Sequence, residues 1–66
     1  MSLTTKIREY RVRDKLNQEE LAQKVGVRRE TIGNLENGKY NPSLKLAMDI
    51  AKVFGCTVED LFFFDE

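Results

Sequence analysis

The fold is decided by residues 17–37, which read NQEELAQKVGVRRETIGNLEN. Asn17, followed three residues later by Glu20, has the pattern of a capping box, in which each side chain bonds a backbone amide at a helix start. Gly26 can adopt the left-handed conformation that ends a helix at little steric cost. These signals predict a helix over about Gln18–Val25, followed by a short turn.

A second helix should begin at Arg28 or Arg29 and continue to about Asn37. The small Ala22 lies where the two helices would approach each other closely. Apolar residues occur at spacings that would fix how the helices cross, namely Val25, Val27, Ile32 and Leu35. Residues 17–37 therefore predict two packed helices joined by a tight turn, a helix-turn-helix unit.

Apolar spacing and capping residues predict three more helices around this pair. Helix 1 should end at about Lys15, helix 4 should run over about Leu44–Phe54 after Ser43, and helix 5 should follow Thr57. The remaining tail is residues 63–66, and no β-strand is expected. We therefore expect an all-α, compact five-helix domain covering residues 1–66 as one unit, with its helix-turn-helix core at 17–37.

Composition excludes several classes of protein. Of the 66 residues, 41% are hydrophobic and 33% are charged, which is typical of a globular domain. The chain has no histidine and one cysteine, so neither a disulfide framework nor a Cys/His metal site is expected. Cys56 is interpreted as a small buried apolar residue. The chain shows neither a long apolar run nor a secretion signal, so we expect a cytoplasmic protein without a membrane partner.

The charges are segregated although they sum to zero. Residues 1–45 contain ten Lys or Arg and six Asp or Glu, a balance of +4, whereas residues 46–66 contain one Lys and five Asp or Glu, a balance of −4. Such polarity would direct one end of the domain toward an anion and the other away from it. A chain this short can also segregate four charges by chance.

Many separate positions resemble the phage repressor and Cro (Xre-type) helix-turn-helix family, from about Ile7 to Phe62. The matching segments are Ile7-Arg8-x-x-Arg11, Asn17-Gln18-Glu19-Glu20-Leu21-Ala22, Gly26-Val27, Thr31-Ile32-x-x-Leu35-Glu36-Asn37-Gly38-Lys39, Asn41-Pro42-Ser43, Leu46-Ala47-x-x-Ile50-Ala51 and Val58-Glu59-Asp60-Leu61-Phe62. The resemblance implies a lambda-repressor-like fold. It also implies a sequence-specific regulator of transcription, a repressor that binds double-stranded DNA with helix 3 in the major groove.

The resemblance implies that the outward positions of helix 3 read bases: Arg28, Arg29, Glu30, Gly33 and Asn34. Arginine can pair with guanine, asparagine with adenine, and glutamate with a cytosine amino group. Family members often have Ser, Thr or Gln at the positions of Arg28 and Glu30, which leaves the target sequence open. Two adjacent arginines could instead form a solvated helix end, and Glu30 could simply orient one of them.

Phosphate contacts are implied for the start of helix 2 and for the loop after helix 3, through Gln18, Asn37, Lys39, Tyr40, Asn41 and Ser43. Helix N-terminal amides and polar side chains suit an oxyanion. The resemblance also implies that Gln18 braces the recognition helix. The alternatives are a helix former without a contact at Gln18, and an ordinary polar loop with a packed ring at Tyr40. The resemblance further implies a partly buried structural ion pair between Arg11 and Glu36.

Three consecutive phenylalanines, residues 62–64, exceed what one short helix can hide, and exposed apolar patches commonly mark interfaces. We expect a symmetric homodimer formed by helix 5 and the tail, with Phe54, Leu61 and Phe63 or Phe64 at its seam. Two recognition helices would then lie about 34 Å apart, on the half-sites of a palindromic operator. The alternative is a monomer whose tail folds back onto helix 1.

Other functions remain as alternatives. No nucleophile with a base and no glycine-rich phosphate loop occurs, so we expect neither an enzyme nor a cofactor. No small-molecule effector is evident. A protein-only adaptor would bind an acidic protein through the exposed face of helix 3. It is distinguished by salt dependence, since duplex binding through phosphate contacts should weaken steeply as salt rises. An antitoxin or a controller of a restriction system would share the DNA-binding mode.

Overall fold

The computed structural model describes residues 2–65, with the side chains of residues 3–64. Five helices lie between two short strands at the ends of the chain. Their bounds are β1 Ser2–Thr5, α1 Ile7–Arg13, α2 Gln18–Val25, α3 Arg29–Glu36, α4 Leu44–Phe54, α5 Val58–Leu61 and β2 Phe62–Asp65. The five predicted helices are therefore present, in the predicted order.

The two strands correct the expectation that the chain lacks β-structure. β1 and β2 pair antiparallel, in the register Ser2↔Asp65, Leu3↔Phe64, Thr4↔Phe63 and Thr5↔Phe62. "All-α" is thus only approximate. Each strand has four residues, and its partner lies at the other end of the sequence, so neither segment contains the local signal of a hairpin. The tail accordingly pairs with the start of the chain rather than with α1.

Local capping explains why α2, α4 and α5 begin where they do. The Asn17 side chain accepts from the Glu20 amide at 2.7 Å, while Glu20 accepts from the Asn17 amide at 2.9 Å. Thr57 and Asp60 form the same reciprocal arrangement before α5. The Ser43 hydroxyl oxygen accepts from the Leu46 amide at 3.1 Å before α4. The predicted helix starts at these three positions are confirmed.

A single core fills the space between the helices. Its fully buried side chains are Ile7, Leu21, Ile32, Leu35, Ile50 and Leu61. Phe54 belongs to the same cluster and is only 4% exposed, while Leu61 is 0% exposed. Both had been assigned to a dimer seam, but the structure places them inside the protomer, because the inward faces of α4 and α5 need them to fill the core. Cys56 is half-buried and packs against this cluster.

The sheet positions the end of the second helix of the pair. Gly38, just after α3, has a φ of 69°, and a Cβ there would lie 2.6 Å from the Leu3 carbonyl oxygen. Only glycine allows the chain to leave α3 in the left-handed conformation while packed this closely on β1. Among residues 2–65, no helix is both long and apolar enough to cross a bilayer.

Candidate nucleic-acid interface

The turn between α2 and α3 is built as the sequence predicted. Gly26 has a φ of 73°, and the Val27 amide donates to the Ala22 carbonyl at 3.0 Å. Ala22 is 1% exposed, so its small side chain allows the two helices to pack closely. Arg28 then serves as the extended N-cap residue of α3, with φ −82° and ψ 153°. The first turn of α3 therefore projects from the protein surface.

The two faces of α3 differ in chemistry. Ile32 and Leu35 are buried against the core, whereas Arg28, Arg29, Glu30 and Asn34 are exposed. The Arg28 side chain is 87% exposed and that of Glu30 is 71% exposed, with 3.7 Å between Arg28 Nη1 and Glu30 Oε1. The start of α3 thus carries two guanidinium groups, one loosely held by Glu30, beside free backbone amides.

Gly33 is the exception on this face because it is only half-exposed. A Cβ at Gly33 would contact the Gln18 side-chain amide at 3.8 to 4.0 Å, which is ordinary packing distance. The Gln18 side chain therefore covers part of the α3 surface. A Cβ at this distance would also fit, so the contact with Gln18 does not require glycine.

Gln18 links the two ends of α3. Its Oε1 accepts from Arg29 Nη1 at 3.2 Å, and its Nε2 donates to Glu36 Oε1 at 3.3 Å. These contacts determine which way the amide group points and hold Arg29 toward α2. The resemblance implied that Gln18 braces the recognition helix, and these contacts show it doing so. The two partners could not be named from the sequence, because no local pattern connects residues that meet only when α2 and α3 cross.

Arg11 and Glu36 meet between α1 and the last turn of α3. Arg11 Nε donates to Glu36 Oε2 at 2.8 Å, and Nη2 donates to Oε1 at 3.3 Å. Arg11 Nη1 also donates to the Leu16 carbonyl at 3.0 Å. The two side chains are 14% and 6% exposed. The pair therefore anchors the end of α3 to α1 with a fork-to-carboxylate geometry that water barely reaches.

The start of α3 is one polar cluster, and the loop after α3 forms a second. Asn37, Lys39, Tyr40 and Asn41 are exposed, with Tyr40 at 44%. The Lys39 amide donates to the Asn34 carbonyl at 2.9 Å, which fixes how the chain leaves the helix. Because the oxygen of Ser43 accepts from the Leu46 amide, its hydroxyl hydrogen remains a donor for another group.

The chemistry of these two clusters suits an anion rather than a reaction. Both consist of cationic, amide and hydroxyl donors beside helix ends. Within the part of the chain that the structure describes, no group of three His, Cys, Asp or Glu residues could hold a metal ion. An exposed, arginine-bearing helix start, packed across a glycine turn on a second helix, defines a helix-turn-helix DNA-binding domain.

The chain belongs to the helix-turn-helix family, whose model, described as "Helix-turn-helix", matches residues 7–61. An HTH-type transcriptional regulator of Archaeoglobus fulgidus is 62% identical over 97% of this chain and 91% of its own length. The cryptic phage CTXphi transcriptional repressor RstR of Vibrio cholerae is 38% identical over 88% of this chain and 52% of its own. By family, the chain is a DNA-binding helix-turn-helix transcriptional regulator.

A solved structure agrees with this assignment. The restriction-modification controller protein C.AhdI of Aeromonas hydrophila superposes with a TM-score of 0.75 at 31% identity, over 82% of each chain. The resemblance to the Xre-type helix-turn-helix family is confirmed by this family match.

Proposed function

We propose that the chain is a sequence-specific repressor that binds double-stranded DNA as a homodimer on a palindromic operator. The observation that carries this proposal is the outward polar face of α3, whose two ends are held by Gln18 and by the Arg11–Glu36 pair. A helix that enters the major groove must be fixed in orientation, since base edges are read at hydrogen-bond distances.

Base reading is assigned to the exposed positions of α3. Arg28 and Arg29 would donate to guanine O6 and N7, and Asn34 would pair with the N6 and N7 of adenine. Glu30 lies within 3.7 Å of Arg28, so it would either accept from a cytosine amino group or orient that arginine. Gly33, the remaining position assigned to base reading, would present only backbone to the groove, beside the Gln18 side chain that packs on it.

Phosphate contacts are assigned to groups on either side of α3. The first is the start of α2, where the capping box uses the amides of Asn17 and Glu20 and leaves those of Gln18 and Glu19 for an oxyanion, and Gln18 Nε2 retains a second hydrogen. The second is the exposed loop with donors on Asn37, Lys39, Tyr40, Asn41 and Ser43. Contacts at both ends of the recognition helix would set its register along the duplex without reading bases.

Repression by occupying the operator is the simplest regulatory mechanism that this small domain supports. The likeness to RstR, which is described as a transcriptional repressor, favours it. The likeness to C.AhdI, which is described as a restriction-modification controller, is compatible with a controller role for this chain.

The test is selection of bound sequences from random duplexes, followed by measurement of affinity for Arg29→Ala on the selected site and its single-base variants. We expect a palindromic site and a loss of about 1–3 kcal/mol, with relaxed preference at one base position per half-site. Lys52→Ala, an exposed lysine in the last turn of α4, is the control for losing one positive charge. An unchanged affinity for Arg29→Ala would show that this face does not read the bases.

A further inference from the structure

The direction of the backbone groups along β2 follows from one hydrogen bond and the strand register. The Lys6 amide donates to the Leu61 carbonyl at 2.8 Å, one position beyond the Thr5–Phe62 pair at the end of the two strands. In an antiparallel pair, bonded and non-bonded positions alternate. Thr5 and Phe62 therefore form a non-bonded position, as do Leu3 and Phe64, and the backbone groups of Phe62 and Phe64 point away from β1.

A second contact supports this alternation. The Phe62 amide donates to the Val58 carbonyl of α5 and not to β1. The next outward-facing groups along the strand are the amide and carbonyl of Phe64. Within residues 2–65 the sheet has two strands only, so no third strand flanks β2.

The two edges of the sheet are thus not equivalent. On the outer edge of β1, the Leu3 carbonyl oxygen faces the chain just after α3, since a Cβ at Gly38 would lie 2.6 Å from it. That edge is covered by the protein. The edge of β2 beyond Phe62 is open, and an open strand edge is a template for another strand.

Apolar surface continues from this open edge. The Phe64 side chain is 57% exposed and Leu44 of α4 is 73% exposed. Both line an open groove of about 280 Å³, together with Leu3, Val58 and Phe62. Unpaired backbone groups beside a contiguous apolar surface are what a protein–protein contact would cover.

We propose that β2 pairs antiparallel with β2 of a second copy of this chain, which gives a four-stranded sheet in the order β1-β2-β2-β1. The inference rests on the homodimer of the proposed function and specifies its interface. An antiparallel strand edge is self-complementary about a two-fold axis, because the Phe64 amide of each copy donates to the Phe64 carbonyl of the other. The Phe64 rings and the two apolar grooves are then covered by the same contact.

The register of the β2–β2 pairing is limited because some backbone groups of β2 already have hydrogen-bond partners. Centring the two-fold axis on Phe63 would require the Phe62 amide, which Val58 already binds. Centring it on Asp65 would pair Phe64 with position 66, beyond the end of β2 at Asp65. The axis therefore passes between the two Phe64 residues.

The first experiment is cross-linking of Phe64→Cys in a Cys56→Ala background. Residues at a bonded antiparallel position have Cα atoms about 5.5 Å apart, within the range of a disulfide. We expect a disulfide-linked dimer under mild oxidation. Val12→Cys, at a 62% exposed position of α1, is the control and should remain uncross-linked at the same protein concentration. A native dimer in which Phe64→Cys fails to cross-link would overturn the inference.

The second experiment uses Phe64→Pro, which removes the outward amide but suits an edge strand whose N–H faces away from its neighbour. We expect the dimer dissociation constant from sedimentation equilibrium to rise on the order of tenfold or more, because two hydrogen bonds are lost. Phe64→Val, which keeps the amide, should be affected less. Equal dimerisation of Phe64→Pro and the native chain, or a native chain that is monomeric at every concentration and on DNA, also contradicts the inference.

Measurement of DNA binding distinguishes a failure of the strand pairing from a failure of the proposed function. On a duplex with a single half-site, Phe64→Pro should bind as the native chain does, because α3 is unchanged. If the native chain binds no duplex while Phe64→Cys cross-links, the proposed function fails and the strand pairing stands. If DNA binding is intact and cross-linking is absent, only the pairing fails.

Discussion

At the scale of single residues, Glu36 is the centre of the polar interior. It accepts two hydrogen bonds from Arg11 and one from Gln18, and Gln18 in turn accepts from Arg29. Its side chain is 6% exposed. One buried carboxylate therefore connects α1, the start of α2 and both ends of α3, and any change to it should act on stability and on the position of the recognition helix together.

Breaking the Arg11–Glu36 pair from one side should destabilise the domain. We expect Arg11→Met to reduce the free energy of unfolding by about 3 kcal/mol, because Glu36 would remain buried without its cation. The double variant Arg11→Met/Glu36→Leu should recover part of this loss, since no charge is then stranded. Urea denaturation of the four members of this cycle measures the coupling. Additive effects of the two changes would contradict a direct interaction.

Lys15 adopts a strained backbone conformation at the end of α1. Its φ is 57°, while its amide donates to the Val12 carbonyl and the Leu16 amide donates to the Arg11 carbonyl. This is a Schellman motif with a lysine where glycine is preferred. Lys15→Gly should raise the free energy of unfolding by about 1 kcal/mol, because a side chain in the left-handed region is unfavourable. Lys15→Ala, which keeps the strain, should not stabilise the domain in the same thermal denaturation assay.

At the scale of elements, the helices are short, and capping and packing at their ends largely determine where they form. α5 has four residues and α1 has seven, so neither would form in isolation. α5 is held by the Thr57–Asp60 capping box at its start and by the burial of Leu61 near its end. Tertiary contact and capping together, rather than helix propensity, stabilise an element of this length.

Asp60 makes the stability of α5 depend on pH. Its pKa is lowered, first by the hydrogen bond from the Thr57 backbone amide, then by the Thr57 side chain. A lowered folded-state pKa means that the carboxylate contributes stability above its unfolded pKa and loses it as the pH falls through the folded value. We expect the unfolding temperature to fall as the pH drops below about 4.

Asp60→Asn is the matched variant for this effect. It should show a smaller fall in unfolding temperature over the same pH range than the native chain does, because the titrating group is gone. Glu59→Gln, one residue earlier and outside the capping box, serves as the control. Identical pH profiles for Asp60→Asn and the native chain would rule out this contribution.

At the scale of the whole molecule, the paired chain ends close the fold next to the end of α3, where Leu3 of β1 packs on Gly38. β1 and β2 join residues 2–5 to residues 62–65, and Arg13 Nη2 donates to the Phe54 carbonyl at 2.9 Å, joining α1 to the end of α4. These contacts leave α3 with its outer face in solvent. The protein thus has an exposed polar surface at the start of α3 and an apolar surface at β2, and the groove beside β2 adjoins the loop after α3 at Asn41.

Salt should weaken binding to DNA through the phosphate contacts. The logarithm of the association constant should fall linearly with the logarithm of salt concentration. Lys39→Ala should weaken binding to all duplexes similarly and reduce this slope by about one unit. Lys52→Ala, which removes a positive charge from the last turn of α4, should leave the slope unchanged. If Lys39→Ala leaves the salt slope unchanged, Lys39 does not contact a phosphate.

The sequence by itself determined the elements whose signals are local. Asn17 with Glu20, Thr57 with Asp60, and Gly26 each specify a helix end within a few residues, because capping groups bond neighbouring amides and glycine alone adopts the left-handed turn cheaply. The apolar spacing of Ile32 and Leu35 likewise indicated which face of α3 is buried. The helix-turn-helix fold and its exposed polar face could therefore be predicted.

Only the tertiary structure decided which distant groups meet. The β1–β2 pairing, the bridge from Gln18 to Arg29 and Glu36, and the burial of Phe54 and Leu61 depend on contacts between segments far apart in the chain. A strand of four residues has no hairpin pattern, and the sequence around Gln18 does not indicate where its amide will point. Packing of the helices determines these features, because it brings together groups whose interaction has no local sequence signature.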